Sequence, residues 1–383
     1  MAPLDAVAKR LYQAVIGPPA IADDRIIRTF LEEASKAEPD QKFTLGFLAS
    51  EWEDVVDAWQ LVTWEAYRDI PRLGRKTRLP EKHRAVLWKM FSTVREALRA
   101  RHLVTMADLY SRLAEKVRAT GKVPFDYVVV DESQDLTVAR LRFLAAMGSA
   151  APDRLFFAGD LGQRIFQTPF SWRSLGVDIR GRSSTLRVNY RTSHQIREQA
   201  DRLLGEVSRD VDGNEERRSA VSVFNGLAPE IRVFGTEAEE IDGVASWLKD
   251  RAAEGLRSSE LAVFVRSDRQ LGRARAAAEK AGLKVRVLDP GMDTRGADVS
   301  LGTMHLAKGM EFLAVAVMAC DDEILPLQSR IESVTDDSDL EEVCVTERQL
   351  LYVACTRARD RLLVTASGPA SEFLDDLLGS GAA

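Results

Sequence analysis

The sequence is 383 residues long and 45% hydrophobic, which at roughly 100 to 200 residues per domain predicts two globular domains. Its formal net charge of −6 argues against a protein that coats nucleic acid by bulk electrostatics, although a local basic groove stays compatible with it. It has neither an apolar stretch of the ~18 residues that span a membrane nor an apolar segment behind its first charges, so it indicates no membrane partner and predicts a cytoplasmic protein.

Apolar residues recur at helical spacing within residues 1–124. They form one face with Phe91, Val94 and Leu98, and another with Met106, Leu109, Leu113 and Val117. Thr105 and Asp108 have the spacing of a capping box and predict the start of the second helix. The widely spaced tryptophans of this segment are predicted to lie in the core rather than to stack on DNA: Trp52, Trp59, Trp64 and Trp88.

Short apolar runs at residues 125–130 and 154–158 predict parallel strands that are covered on both faces. After residue 186, strands alternate with helices, which predicts a second α/β domain with a parallel sheet. Its predicted strands are residues 231–234, 261–265, 284–288, 314–318 and 361–365. A domain break is expected near residues 180–186, and the acidic run at 332–342 is expected to be a solvated loop.

Chemistry is predicted where the first strands end. Asp131 and Glu132 follow the first strand, and Asp160 and Gln163 follow the second. Because ligands of open parallel sheets bind beyond the carboxyl ends of the strands, these side chains are expected to face one site. One acid can hold a magnesium shell while its neighbour orients the attacking water of nucleotide hydrolysis. Taken alone, however, a pair of acids often only solvates a turn.

Five segments occur in a fixed order: DESQD at 131–135, GDLGQ at 159–163, NYR at 189–191, TMHLAKGMEF at 303–312 and LLYVACTRA at 350–358. Together they resemble motifs II to VI of the UvrD/Rep-type superfamily 1 DNA helicases. The resemblance implies an α/β fold with two RecA-like parallel-sheet domains, of which the first is incomplete. Residues 1–124 would be a helical segment of the first motor domain, 125–185 the remainder of RecA-like domain 1, and 186–383 RecA-like domain 2.

The resemblance also implies roles for single residues. For nucleotide chemistry these are Asp131 as the magnesium ligand, Glu132 as the catalytic base, Gln163 as the γ-phosphate sensor, Arg191 and Arg357 as arginine fingers, and Tyr190, Lys308, Gly309 and Glu311 as ATP-binding residues. For DNA they are Thr303 and His305, which would couple the cleft to the backbone, and Trp172, which would stack on a base. The alternatives are surface ion pairs for the arginines, packing for Tyr190 and a structural role for His305.

The function implied by the resemblance is that of an ATP-dependent helicase or translocase. Such a protein uses ATP and Mg²⁺, acts on single-stranded or partly duplex DNA, and moves 3′ to 5′. A nucleoid-associated protein of DNA repair fits this description. Between Arg191 and Thr303 the sequence is too short for the large inserted subdomain of bigger relatives, which indicates a compact variant.

The sequence departs from the family in one respect. The family's first motif is GxxxxGK[ST], whose amides and lysine hold the phosphates, whereas the Gly121-Lys122 pair is followed by Val123 and has Lys116 where a glycine is required. We therefore expect a truncated or split form that cannot hydrolyse ATP alone, with a separate P-loop-bearing polypeptide as a candidate partner. The alternatives are a catalytically silent protein that binds single-stranded DNA or regulates, and an unrelated α/β nucleotide-binding protein.

Overall fold

The structure is a computed structural model that describes residues 2–39, 41–70, 79–149, 152–160, 170–204, 207–209, 215–217, 220–289, 296–332 and 337–379. The chain divides into two compact units. The described residues up to Asp160, together with 170–182, form the first unit, and nearly all described residues from Ser183 onward form the second. Predicted Gln163 lies outside the described residues.

Helices fill most of the first unit. They are α1 (Leu4–Val15), α2 (Asp24–Lys36), α3 (Leu45–Glu51), α4 (Trp64–Asp69), α5 (Glu81–Ala100), α6 (Met106–Thr120) and α7 (Val138–Gly148), with a π-helical turn at Trp52–Asp57. Both predicted amphipathic helices are confirmed. They are α5 and α6, and their apolar faces lie in the core. The capping box is confirmed as well, since Thr105 Oγ1 accepts from Asp108 N at 3.0 Å and Asp108 Oδ2 accepts from Thr105 N at 3.1 Å.

The four tryptophans of the helical segment belong to the apolar cluster that α2, α3 and α5 form, as predicted. Trp52 is fully within this core, and Trp59, Trp64 and Trp88 pack against it. Tyr67 stacks on Trp88 with ring centroids 5.6 Å apart and donates a hydrogen bond to buried Glu51 at 2.8 Å. These rings therefore hold the helices together.

The first unit also contains a parallel strand pair, β1 (Val128–Val130) with β2 (Leu155–Phe157). One face packs on α7 and α6, whereas Val129 and Phe156, which are register partners on the other face, are 71% and 63% exposed. The prediction that these strands are covered on both faces is therefore wrong for this face. The apolar composition of the strands is the same on both sides, so composition alone could not separate the buried face from the exposed one.

The second unit is built on a six-stranded parallel sheet in the order β7-β12-β11-β8-β10-β9. Its strands are β7 (Glu230–Phe234), β8 (Leu261–Val265), β9 (Val285–Val287), β10 (Val299–Thr303), β11 (Phe312–Val317) and β12 (Ala358–Ser367). Shorter pairs are parallel β3 (Val188–Asn189) with β6 (Val221–Ser222), and antiparallel β4 (Val207–Arg209) with β5 (Glu215–Arg217). The predicted strands and their parallel direction are confirmed, and β10 is an addition to them.

Helices cover both faces of this sheet. They are α8 (His194–Asp201), α9 (Glu237–Ala253), α10 (Leu271–Lys280), α11 (Gln328–Ile331), α12 (Asp337–Cys355) and α13 (Phe373–Leu378). Alternate residues of β8 point into opposite cores: Phe264 joins the cluster with α8, α12 and α13, and Val263 joins the cluster with α9 and α10. The chain is thus a mixed α/β protein with one six-stranded parallel sheet, while two RecA-like domains, the first of them incomplete, remain a prediction.

The prediction that the acidic run at 332–342 is a loop is wrong from Asp337 onward, where α12 begins, while residues 333–336 lie outside the described part of the chain. Carboxylates in the first turn of a helix interact favourably with the positive end of its dipole. An acidic composition is therefore compatible with a helix start as well as with a solvated loop. The cysteines are free thiols, with Cys320 and Cys355 buried. The described residues contain no helix that is long and apolar enough to cross a membrane.

Candidate functional site

The acidic pair of the first unit lies in the loop directly after β1. Asp131 and Glu132 are both exposed, and Glu132 has a φ of 53°, in the left-handed region. The Glu132 amide donates to Asp131 Oδ1 at 2.9 Å. Because a non-glycine residue with positive φ costs free energy, such residues persist where the surrounding contacts hold them, and they concentrate at functional sites.

Buried Gln134 is the contact that holds this loop. Its Nε2 donates to Glu132 Oε2 at 2.5 Å, and its Oε1 accepts from the amide of Asp160 at 3.1 Å. A side-chain amide can do both, because it carries a donor and an acceptor. The loops after β1 and β2 are therefore joined, and Glu132 and Asp160 lie near each other. DESQD contains this glutamine, but sequence reasoning assigned it no role.

Gly159 allows the two loops to approach this closely. A Cβ at position 159 would lie 2.5 Å from Ser133 Oγ and 2.6 Å from Gln134 Oε1. Both distances are shorter than real Cβ contacts, so a larger residue would separate the loops. The glycine of the GDLGQ segment is thus explained by packing against DESQD.

Trp172 belongs to the first unit and is half-buried. Its ring meets Phe157 of β2 edge to face, with centroids 5.0 Å apart, and it packs on the core beneath the strand pair. The ring is therefore anchored on one side. Stacking of a base on Trp172 remains a prediction.

In the second unit, the turn after β3 fixes Arg191. Asn189 Oδ1 accepts from the amides of Arg191 at 2.8 Å and Thr192 at 3.1 Å. Thr192 Oγ1 donates to the carbonyl of Thr356 at 3.4 Å. The NYR segment is thereby connected to the segment that carries Arg357, so the two predicted arginine fingers belong to neighbouring backbone. Tyr190, which directly precedes Arg191, is 74% exposed.

Arg357 is a buried cation, with only 1% of the residue exposed. Its Nε donates to the carbonyl of Val353 at 3.0 Å, and its terminal nitrogens donate to the carbonyl of Met310 at 3.4 Å and to Thr356 Oγ1 at 3.3 Å. These three acceptors are neutral oxygens. They orient the guanidinium in the turn that precedes β12.

The predicted nucleotide residues of the TMHLAKGMEF segment lie in a turn next to Arg357. Gly309 has a φ of 77°, in the left-handed region, and the Met310 amide donates to Ala307 at 3.1 Å. Lys308 is half-buried, while Glu311 is exposed and immediately precedes β11. These residues therefore share the amino ends of β11 and β12 with Arg357.

Thr303 lies at the opposite edge of the sheet. It ends β10 and pairs with Val265, which ends β8, whereas Phe312 starts β11 and pairs with Ala358 at the start of β12. The TMHLAKGMEF segment contains residues predicted to bind DNA as well as residues predicted to bind the nucleotide. It therefore crosses from the carboxyl edge of the sheet to the amino edge. The rule that ligands bind beyond the carboxyl ends of parallel strands does not predict a site at the residues beside Arg357.

His305 is half-buried in the 3₁₀ turn that follows Thr303. Burial lowers its pKa to about 4, and the nearby Arg266 guanidinium adds to the effect. Arg266 is itself paired with fully buried Glu347, at 2.5 and 2.6 Å, and Arg330 donates to the same carboxylate at 2.8 Å. His305 is therefore neutral at neutral pH.

The first unit can bind Mg²⁺ only as nucleotide sites usually do, through one or two carboxylates together with the phosphates of a bound nucleotide. Among the described residues there is no group of three or more His, Cys, Asp or Glu side chains that could hold a metal ion. Magnesium commonly binds through one or two carboxylates and substrate phosphates while keeping several waters, and exposed Asp131 can supply such a carboxylate. No P-loop pattern in this sequence would hold those phosphates.

Comparisons with known proteins agree with the motifs. Residues 287–368 match the model of the UvrD-like helicase C-terminal domain. A "Probable DNA helicase" of Mycoplasma pneumoniae is 24% identical over 254 residues, which cover 63% of this chain and 43% of that protein. The ATP-dependent DNA helicase PcrA of Staphylococcus epidermidis is 43% identical over 67 residues, which cover 18% of this chain and 8% of PcrA.

A solved structure, the C-terminal domain of a possible DNA helicase from a Lactobacillus, matches 49% of this chain and 94% of its own length at 23% identity. Its TM-score of 0.34 does not by itself establish a shared fold. The matched segments span less than half the length of the Mycoplasma and Staphylococcus relatives. The resemblance of this chain to the carboxy-terminal part of UvrD-type DNA helicases, inferred from its motifs, is confirmed.

Proposed function

We propose that this chain contributes the acidic pair and the arginine fingers of an ATP-dependent DNA helicase or translocase of UvrD type, which moves 3′ to 5′. The observation that carries the proposal is the cluster at the amino ends of β11 and β12. There buried Arg357, exposed Glu311 and the turn of Arg191 are connected through backbone and side-chain hydrogen bonds. This cluster includes residues of the segment that matches the helicase family.

In the proposed reaction each residue has one task. Asp131 would hold a magnesium ion, which would supply positive charge beside the phosphates, and Glu132 would orient the attacking water and accept its proton. Arg191 and Arg357 stabilise the charge that develops on the transferred phosphoryl group. Gln163, which lies outside the described residues, senses the γ-phosphate.

The remaining residues bind the rest of the nucleotide and the DNA. Exposed Tyr190 stacks on the base, Glu311 holds the ribose, and Lys308 and Gly309 form the turn beside them. Thr303 and His305 contact the DNA backbone, and Trp172 stacks on a base of the single strand. Since His305 is neutral at neutral pH, it contacts DNA through a hydrogen bond and not through charge. A role in DNA repair at the nucleoid belongs to the same proposal.

The phosphate cradle must come from elsewhere for this chemistry to proceed. Each missing charge-assisted hydrogen bond is worth about 1.5–3 kcal/mol, so this polypeptide alone is expected to hydrolyse ATP negligibly. A P-loop-bearing polypeptide is the proposed partner. The exposed face of Val129 and Phe156 supports this, because an apolar sheet face of this kind is normally covered by another layer.

The test is an ATPase assay of this chain with and without the P-loop-bearing segment of a UvrD-type helicase, in the presence of single-stranded DNA. We expect turnover only in the mixture, and its loss with Glu132→Gln. Asp126→Asn is the matched control, since Asp126 is exposed five residues before Asp131 and carries no assigned role. Turnover in the ordinary helicase range from the pure chain would contradict the proposal.

The second candidate is a catalytically silent protein that binds single-stranded DNA. The lack of GxxxxGK[ST] in these 383 residues favours it. It predicts an affinity for single-stranded DNA that ATP does not change, both for the chain alone and in the mixture. A change of DNA affinity on addition of ATP to the mixture, abolished by Arg357→Ala, would decide for the motor.

A further inference from the structure

A cavity of about 340 Å³ opens among the helices of the first unit, away from the motifs that resemble helicases. The π-helical turn Trp52–Asp57, α5, the α5–α6 connection and α6 form its walls. Basic side chains dominate the charged part of the lining: Arg95, Arg99, His102 and Arg112, against Asp57 and Asp108. Its size is that of a small-ligand site.

The backbone around the cavity is held in uncommon conformations. The turn at its wall has the wider spacing of a π-helix, with Ala58 N donating to Glu53 at 3.2 Å and Leu61 N to Val56 at 2.9 Å. Gln60 and His102, which both line the cavity, have φ values of 55° and 54°. Single π turns and strained non-glycine residues concentrate at functional sites.

Arg95 brings an unsatisfied donor to this cavity. Its Nε is buried without a hydrogen-bond partner among the described residues, and one terminal nitrogen makes a long 3.4 Å bond to the carbonyl of Val56. The guanidinium lies 5.8 Å from the Trp52 ring centroid. Burial lowers its pKa, and the nearby Asp108 and Asp57 carboxylates offset this effect only in part. A bound anion would give Nε a partner and stabilise the buried charge.

Asp57 is the acid inside the cavity. Its Oδ1 accepts from Thr105 Oγ1 at 2.8 Å and from Gln60 Nε2 at 2.9 Å. Burial, followed by the charge of Asp108, raises the pKa of Asp57 to about 7. Near neutral pH this carboxyl is therefore only partly ionised. The lining carries three arginines, Arg95, Arg99 and Arg112, against two acidic residues, Asp57 and Asp108, and is therefore net positive.

We propose that this cavity binds a phosphomonoester group, with Arg95 and Arg99 contacting the phosphate. A forked guanidinium matches phosphate oxygens in pairs, which a point charge does not. The volume accommodates the phosphate with part of an attached small molecule. A free nucleoside monophosphate and the 5′-phosphate of a DNA end share this chemistry.

The first experiment is calorimetric titration of the full chain with AMP and with adenosine, at constant ionic strength. AMP should bind at least tenfold tighter than adenosine, and Arg95→Gln and Arg99→Gln should each weaken AMP binding about tenfold, the value of one charge-assisted hydrogen bond. Lys82→Gln, which removes the same charge from the exposed side of α5, should have no effect. Because Arg99 is exposed, Arg99→Gln still tests the proposal if Arg95→Gln fails to fold.

A second arm compares oligonucleotides with and without a 5′-phosphate. If the 5′-phosphate increases the affinity for the oligonucleotide and Arg99→Gln abolishes this increase, the site binds a strand end. If the phosphate increases affinity only for AMP, and Arg99→Gln abolishes that increase, the site binds a free ligand. Equal affinities for AMP and adenosine, together with no gain from the 5′-phosphate, would overturn the proposal. So would phosphate-dependent binding that is unchanged in both arginine variants.

The pH arm uses sulfate, because the second pKa of a phosphomonoester is about 6 and would confuse the result. Sulfate should bind more tightly at about pH 6 than at about pH 8, since Asp57 gains its negative charge between them. The comparison is made in a His102→Gln background, which removes the histidine of the lining, and there Asp57→Asn should remove this difference. A pH difference that persists in Asp57→Asn would exclude Asp57 as its origin.

Discussion

The amide of Phe312 donates to the carbonyl of Arg357 at 3.0 Å, which joins the first residue of β11 to the residue before β12. Glu311 precedes the donor, so the exposed carboxylate and the buried guanidinium occupy neighbouring positions on one sheet edge. Strand pairing at Phe312 and Ala358 keeps them there. The positions of two predicted nucleotide contacts are therefore set by the sheet and not by a free loop.

Arg357→Ala should affect both hydrolysis and folding. In the complemented assembly we expect ATP turnover to fall by about 10³-fold or more, the usual effect of losing an arginine finger. The stability of the chain alone should fall by about 1–3 kcal/mol, because buried carbonyls lose their donor. Urea unfolding and the ATPase assay measure the two effects. Arg359→Ala, at a side chain that is 46% exposed, is the control and should change neither much.

Gln134→Ala should release the loops after β1 and β2 from each other. Glu132 and the Asp160 amide each lose a hydrogen-bond partner, so we expect a loss of about 1–3 kcal/mol in the free energy of unfolding. Gln134→Glu keeps an acceptor for Asp160 but places a like charge beside Glu132, and it should reduce ATP turnover in the assembly more than it reduces stability. Equal stability of Gln134→Ala and the native chain would remove the glutamine from this role.

His305 should make stability depend on pH. The unfolded chain binds the proton near the ordinary pKa of 6.5, whereas the folded chain binds it only near 4. The free energy of unfolding should therefore decrease as the pH falls through this window, by at most about 3 kcal/mol. Carboxylates titrate in part of the same range. The measurement is therefore the difference in the free energy of unfolding by urea between the native chain and His305→Gln. That difference should change between about pH 7 and about pH 4 and stay constant above pH 7.

The exposed face of the β1–β2 pair should promote self-association. Val129 and Phe156 lie side by side in register and are mostly exposed, and apolar sheet faces of this kind are aggregation sites. Phe156→Ser should lower light scattering at a given concentration with little change in melting temperature. Val15→Thr, at an apolar position on α1 that is 48% exposed, should leave scattering unchanged. Identical scattering of all three proteins would contradict the expectation.

Sequence reasoning succeeded where one pattern had one physical meaning. The buried faces of α5 and α6, the capping box of Thr105, and the parallel strands of the second unit follow from period and capping chemistry alone. It missed β10, because Val299–Thr303 contains a serine, a glycine and a threonine and so resembles a loop. Gly302 belongs there for packing, since a Cβ would lie 3.0 Å from Leu288.

The candidate site was predictable only where motif order identified it. The carboxyl-edge rule led to Asp131 and Glu132, but nothing in local composition indicates that Arg357 is buried or that Gln134 joins two loops. Those facts depend on contacts between residues far apart in sequence, such as Gln134 with Asp160. The cavity around Arg95 escaped notice for the same reason, because its charged residues come from separate helices that only folding brings together.

The bond from Arg357 Nε to the Val353 carbonyl has a consequence for helix α12. Val353 lies in the last turn of this helix, whose final carbonyls have no partners within the helix. The guanidinium thus serves as a cap for the helix end while no anion competes for it. A phosphate that draws the guanidinium away would leave the Val353 carbonyl with Thr356 Oγ1 as its remaining donor, at 3.1 Å, so binding of an anion at Arg357 should loosen the last turn of α12.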